Sequence, residues 1–199
     1  MMRSPKHSPA LVLALSASLA SCAQANAGTL SGKVPPGQGP WVVYVESIPG
    51  KTFPASPKPV VISQQSLTFQ PHITVVPVGT TVSFENHDRV AHNIFWPSVA
   101  GNKKLSHNMG TWPTGEGRAF KFDTPGVVPL LCNVHPEMNA YVIVVPTPYF
   151  AMTDESGKYT LPDLPDGQYR ISAWHEGMKI QTRTVSVTSV ATLDFTPTN

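Results

Sequence analysis

Along most of the chain, apolar residues come in short runs that alternate with polar ones or stop at Gly, Pro or Asp. That is the patterning of strands rather than helices. Thr81, Ser83 and Glu85 alternate with Val82 and Phe84, which predicts a strand with one buried face. Residues 73–77 read as another strand, separated from it by a turn at Val78-Gly79. Segments 29–34, 41–46, 60–62 and 67–69 read as further strands, and Phe120 and Phe122 alternate with Lys121 and Asp123 in another. Residues 141–145 are apolar at successive positions, so both faces are buried and the strand is central. Residues 49–59, with Pro at 49, 54, 57 and 59, read as a linker, and the polar, Gly-rich 101–117 as a long surface loop.

The texture changes after Pro146-Thr147-Pro148. Turns at 154–157, 166–167 and 176–177 separate strands at 158–161, 168–174, 184–187 and 192–195. This is a second, smaller β unit. The predicted fold class is therefore all-β.

Composition agrees. Of 199 residues only 13% are charged, while 21 prolines and 14 glycines supply turns. The formal net charge is +2, with no basic stripe and no interleaving of Arg with aromatics, so a nucleic-acid partner is excluded.

Residues 1–27 read as a targeting segment. Arg3 and Lys6 supply a positive start, and 10–20 form an apolar core too short to span a bilayer. Ala25-Asn26-Ala27 is a small-x-small site that would release a chain beginning at Gly28. Leu19-Ala20-Ser21-Cys22 resembles a bacterial lipobox, which would end the signal at residue 21 and anchor a lipid at Cys22. Both readings predict export to the periplasm, and the absence of a second long apolar run predicts no transmembrane span.

Once Cys22 is removed or acylated, Cys132 has no intramolecular partner. An unpaired thiol in an oxidising compartment needs burial or a bound metal. Cys132 belongs to Cys132-Asn133-Val134-His135-Pro136-Glu137-Met138, where thiol, imidazole and thioether recur at every third position. A further imidazole, His92, lies forty residues upstream in Ala91-His92-Asn93. One Cys, two His and one Met is the donor set of a mononuclear blue-copper site, with two imidazoles and a thiolate in a plane and a weak axial thioether.

Residues 60–145 resemble the cupredoxins, through the segment 78–86, Ala91-His92-Asn93, Pro125-Gly126 and Cys132-x-x-His135-x-x-Met138. Two residues between His and Met is the spacing of the amicyanin branch, and the wider pattern looks like plastocyanin-like, methylamine-utilisation-type proteins. The resemblance implies a Greek-key sandwich with one copper ion on His92, Cys132, His135 and Met138. It implies that Asn93 hydrogen-bonds the first-ligand loop to the Cys loop. The expected activity is one-electron transfer rather than catalysis. Transient redox proteins would dock beside His135, on an apolar patch that includes Pro136 and Trp96. One departure is Pro129-Leu130-Leu131, where cupredoxins usually carry an aromatic; Pro129 lacks an N–H, so its strand must be at an edge or irregular.

The tail 153–170 is similar to carboxypeptidase-regulatory-type, transthyretin-like β-sandwiches, whose usual opening strands stand here within 32–45. The implied organisation is a copper domain at 58–146 inserted into a sandwich formed by 28–54 and 147–199. Pairing of strand 41–45 within the copper domain would refute it.

Rival functions use the same residues. A copper delivery or storage protein would release Cu(I) readily, and an interaction module would work through the second sandwich alone. Cysteine hydrolases, multicopper oxidases and zinc sites fit poorly: the chain has no signature of a nucleophilic Cys, no His-x-His pairs, and a Met where zinc sites use Cys and His. His72, His87, the His107-Asn108-Met109 group and His175 read as solvated or satisfied side chains rather than a second metal site.

Overall fold

A computed structural model describes residues 27–35 and 39–196. The leader through Asn26, with Cys22 and the proposed lipid anchor, lies outside the described residues. β1 (Ala27–Lys33) and β2 (Val42–Val45) come first, and the Pro-rich stretch after them carries no strand. Nine strands follow: β3 (Val60–Gln65), β4 (Thr68–Gln70), β5 (Ile73–Pro77), β6 (Thr80–Asn86), β7 (His92–Trp96), β8 (His107–Trp112), β9 (Gly117–Phe122), β10 (Gly126–Leu131) and β11 (Asn139–Val145). The last five are β12 (Phe150–Met152), β13 (Lys158–Pro165), β14 (Gly167–Trp174), β15 (Gln181–Val187) and β16 (Val190–Thr192).

These strands build two sandwiches. In the first, the sheet β4-β3-β6-β9 faces the sheet β5-β11-β10-β7-β8. Val82, Phe84 and Ile62 meet Val128, Leu130, Val142 and Val144 in its core. In the second, β13-β1-β16 faces β12-β2-β14-β15, around Leu30, Leu161, Val43, Val45 and Ile171. Among the described residues, β2 pairs antiparallel with β12 and β14 only, and β1 pairs with β13 and β16.

Two strands explain how the sandwiches meet. Along β11, Val142 and Val144 point into the first core, while Ile143 and Val145 point the other way. Along β2, Val43 and Val45 point into the second core and Val42 away from it. Side chains alternate across a strand, so each of these two strands carries one core on one face and a shared contact on the other. Ile143, Val145, Ile73, Val42 and Trp174 fill that contact. Burying a side chain of this kind stabilises by about 1.5–3 kcal/mol, enough in sum to hold the two sandwiches together. The continuous apolar run at 141–145 is thus a central strand, between β5 and β10.

The surface loop expected at 101–117 is corrected. It contains a single 3₁₀ turn, Lys103–Leu105, and then β8, an edge strand paired with β7. A bulge hides the strand in the sequence: Asn93 pairs with Thr111 and Phe95 with Asn108, so Met109 and Gly110 together face Ile94. Gly110 adopts φ +80°, and the buried Met109 and Trp112 fall three apart instead of two. Pro129 lies in an inner strand. β10 runs the length of β11 but meets β7 only at Leu131 and Phe95, so the side that lacks an N–H has almost no ladder to join.

Candidate metal centre

Two connections at one end of the first sandwich bring the sulfur and nitrogen donors together. The β6–β7 connection ends at His92, the first residue of β7. The β10–β11 connection carries Cys132, His135 and Met138. Because β7 and β10 meet at Phe95 and Leu131, the start of β7 and the end of β10 are neighbours although they are distant in sequence. The Met138 N–H donates to the His135 carbonyl at 3.0 Å, which closes the ligand loop into a tight turn.

Nδ1 of His92 lies 3.1 Å from Nδ1 of His135, and with the Cys132 sulfur the three donor atoms lie within 4.8 Å of one another. The imidazole planes are inclined at 61°. His92 is fully buried, and Cys132 and Met138 belong to one buried cluster. His135 alone of the four is partly exposed. Cys132 forms no disulfide.

Hydrogen bonds fix the two loops. Asn93 Oδ1 accepts from the Asn133 N–H at 3.3 Å, a direct tie between the strand after His92 and the residue after Cys132. Asn93 Nδ2 donates to Asn108 Oδ1 at 2.9 Å and to the Gly110 carbonyl at 2.8 Å, anchoring the same side chain on β8. His92 Nε2 lies 2.8 Å from Oδ2 of Asp88. Burial pushes the Asp88 carboxyl upward, but bonds from the Leu67 N–H, His92 and the Ser66 N–H outweigh it and hold it below the usual carboxylate range. With two backbone N–H groups already donating to it, the Asp88 carboxylate is an acceptor, and an acceptor calls for a donor at the ring nitrogen facing it. A His92 ring that donates from Nε2 to Asp88 keeps Nδ1 for a ligand, toward His135 and Cys132.

This donor set fits copper. Thiolate sulfur suits Cu(I), and imidazole nitrogen suits both oxidation states. Two imidazole nitrogens 3.1 Å apart with a buried, unpaired thiol beside them are spaced for one ion rather than for packing.

One expectation is overturned. Trp96 is 1% exposed, its indole N–H donating to the Leu105 carbonyl at 3.1 Å and its ring packed on Phe120 and Phe122. Positions 92, 94 and 96 alternate onto one face of β7, so the tryptophan is turned inward along with the histidine. It cannot serve as a docking surface. Pro136 is exposed, as are Val134 next to His135 and Val90 two residues before His92. Sequence reasoning missed Asp88, although the Asp-x-x-x-His spacing directly after a strand was a readable signal.

Residues 58–145 match the model for copper binding proteins of the plastocyanin/azurin family, and residues 135–198 match the carboxypeptidase regulatory-like domain. Plastocyanin from Scenedesmus fuscus is 33% identical over 75 residues, covering 35% of this chain and 76% of that protein. Among solved structures, a reduced amicyanin variant aligns at 19% identity and TM-score 0.41, covering 45% of this chain and 84% of its own. A purple cupredoxin from Nitrosopumilus maritimus aligns at 29% identity and TM-score 0.38, covering 43% and 98%.

Proposed function

The chain belongs to the plastocyanin/azurin family of copper-binding proteins, and from that premise we propose that it is an exported one-electron carrier. Its cofactor is copper. His92, Cys132 and His135 hold the ion, with Met138 as a weak fourth donor. Copper held there supplies a Cu(I)/Cu(II) couple. The protein's part is to keep the donors in one arrangement for both oxidation states, and the bonds of Asn93 across the two loops serve that end. The single observation that carries the reading is the convergence of two Nδ1 atoms and one buried thiol from loops forty residues apart.

Burial of three of the four donors favours carrying electrons over delivering metal, since little of the site is open to an acceptor. His135 is the ligand with an exposed edge. A redox partner docks there, on a small and transient interface, against Pro136, Val134 and Val90 rather than Trp96. We propose further that residues 58–146 form the copper domain, inserted into a sandwich made of 28–54 and 147–199. The pairing of β1 and β2 with strands after residue 147 supports this organisation. The leader places the chain in the periplasm, freely or through a lipid at Cys22. Among the described residues no helix is long and apolar enough to cross a membrane.

The test is an optical and EPR spectrum of the purified protein with one equivalent of Cu(II). An intense thiolate-to-copper band is expected in the wild type and its complete loss in Cys132→Ala. A band that persists in the variant would refute the ligand assignment.

A further inference from the structure

Asp88 does two jobs with one carboxylate. Oδ1 accepts the Ser66 N–H at 2.6 Å, while Oδ2 accepts the Leu67 N–H at 2.9 Å and faces His92 Nε2 at 2.8 Å. Ser66 and Leu67 form the turn of the β3–β4 hairpin, and both adopt left-handed backbone angles, φ +56° and +57°. A two-residue turn of this kind is ordinarily built from Gly, Asn or Asp, because a side chain such as Leu is strained there. The strained turn aims both of its N–H groups at Asp88.

The loop that carries Asp88 is itself braced. The Asp88 N–H donates to Asn86 Oδ1 at 2.9 Å, and Asn86 Nδ2 donates to the Val90 carbonyl at 2.8 Å. The His87 N–H donates to the Gln64 carbonyl at 2.9 Å, so the loop is stitched to the same hairpin from a second point. Asp88 is therefore a fixed side chain, 15% exposed, against a histidine ring that is 0% exposed.

We infer that Asp88 is a positioning residue: it holds His92 in the form that offers Nδ1 to the metal, and its negative charge favours the more oxidised copper. The inference rests on the copper reading above, but its first consequence does not need the metal. An acceptor-only carboxylate demands a proton on Nε2 of His92. An asparagine in its place can turn its amide toward the ring, donate to Nε2 and shift the proton to Nδ1, the atom needed for ligation. A residue that merely capped the hairpin would leave the ring's proton where it was.

Two measurements test this. In metal-free wild-type protein, ¹⁵N NMR of the His92 ring is expected to show the proton on Nε2, and Asp88→Asn to raise the population with the proton on Nδ1. Loss of an outer partner of a ligating histidine typically weakens metal binding by about 10–100-fold. Asp88→Asn should weaken Cu(II) binding by about that factor and Cu(I) binding less, because the lost charge matters more to the higher oxidation state. Each tenfold difference between the two raises the reduction potential by about 59 mV. Asp88→Glu, which keeps the acceptor, should retain the wild-type ring tautomer.

A wild-type ring protonated at Nδ1 would overturn the inference, and that measurement needs no variant to fold. So would an Asp88→Asn protein with the wild-type tautomer and potential but faster amide exchange at Ser66 and Leu67, which would make Asp88 a hairpin cap alone. Failure of the copper reading looks different. The wild type would then lack the thiolate band with Cu(II), while the tautomer result stood.

Discussion

In the first sandwich, the buried side chains of Asn86, His92 and Asn93 brace the two connections of the metal centre: Asn86 bonds Val90 and His92 bonds Asp88 within the β6–β7 connection, and Asn93 reaches Asn133 in the β10–β11 connection. In the second, two buried threonine hydroxyls join backbone from the two separate stretches of chain that build it. Thr153 Oγ1 accepts the Trp41 N–H at 3.0 Å, and Thr147 Oγ1 donates to the Val45 carbonyl at 2.8 Å. Tyr159 and Tyr169 send their hydroxyls to the carbonyls of Leu193 and Pro165. Buried polar groups must be paired in both, yet the pairing serves different ends. One sandwich uses it to brace two connections around a donor set, the other to join strands from before residue 54 to the chain from residue 147 onward. A core can therefore be rebuilt in the second sandwich without touching the chemistry of the first, unless the change reaches the contact between them.

The sharpest way to break that separation is at the contact itself. Trp174 is buried between the sandwiches against Tyr141, with ring centroids 5.2 Å apart. Trp174→Ala should cost about 3–5 kcal/mol. If the contact couples the two units, circular dichroism will show the single thermal transition splitting in two, with the copper band following only one. A single transition at an unchanged temperature would show that the contact contributes little.

A smaller effect is expected inside the second sandwich. A Cβ on Gly32 would stand 1.9 Å from the Leu193 carbonyl oxygen, in the segment that runs beside β1. Gly32→Ala should destabilise by about 1–3 kcal/mol, measured by denaturant unfolding, with the copper spectrum unchanged. A shifted spectrum would mean that the sandwiches are not chemically independent.

The reverse change, in the ligand loop, should leave stability nearly alone. Met138→Leu conserves volume and costs less than about 1.5 kcal/mol. Cu(I) is satisfied by three donors whereas Cu(II) calls for more, so losing the weak axial one should leave copper bound and raise the potential, as voltammetry can show. A potential equal to the wild type's would remove Met138 from the ligand set.

The smallest effect is electrostatic. Burial pushes the Glu46 carboxyl up, but hydrogen bonds from Ser172 and Arg170 and the Arg170 charge outweigh it and hold it below its ordinary 4.5. A carboxylate with a lowered folded value contributes stability above the unfolded value, lost as pH falls through the folded one. The pair is largely exposed, so Glu46→Gln should cost only about 0.5 kcal/mol at neutral pH. The cost should fade below pH 4.5 in thermal melts; a cost that persisted at low pH would assign the effect to packing.

Much of this arrangement was legible in the residues. Alternation marked β6 and β9, the unbroken apolar run marked β11 as central, and the three-residue recurrence of Cys132, His135 and Met138 marked the connection whose Cys132 and His135 the fold brings beside His92. β8 was not legible, because the bulge at Met109-Gly110 breaks the two-residue period that identifies a strand. Trp96 was misplaced for a different reason. The resemblance put it on the apolar patch beside His135, whereas its shared parity with His92 along β7 turns it into the core.

By themselves, the residues determined the chemistry available, since donor types and short spacings are local properties of the chain. They also determined which faces would be buried. Tertiary structure alone decided what each face is buried against: that β2 and β11 would meet back to back, and that a strained hairpin at 66–67 would deliver two N–H groups to the carboxylate behind His92. Periodicity records that a side chain leaves water, but a partner from a distant loop depends on how the sheets cross, and no local pattern encodes that.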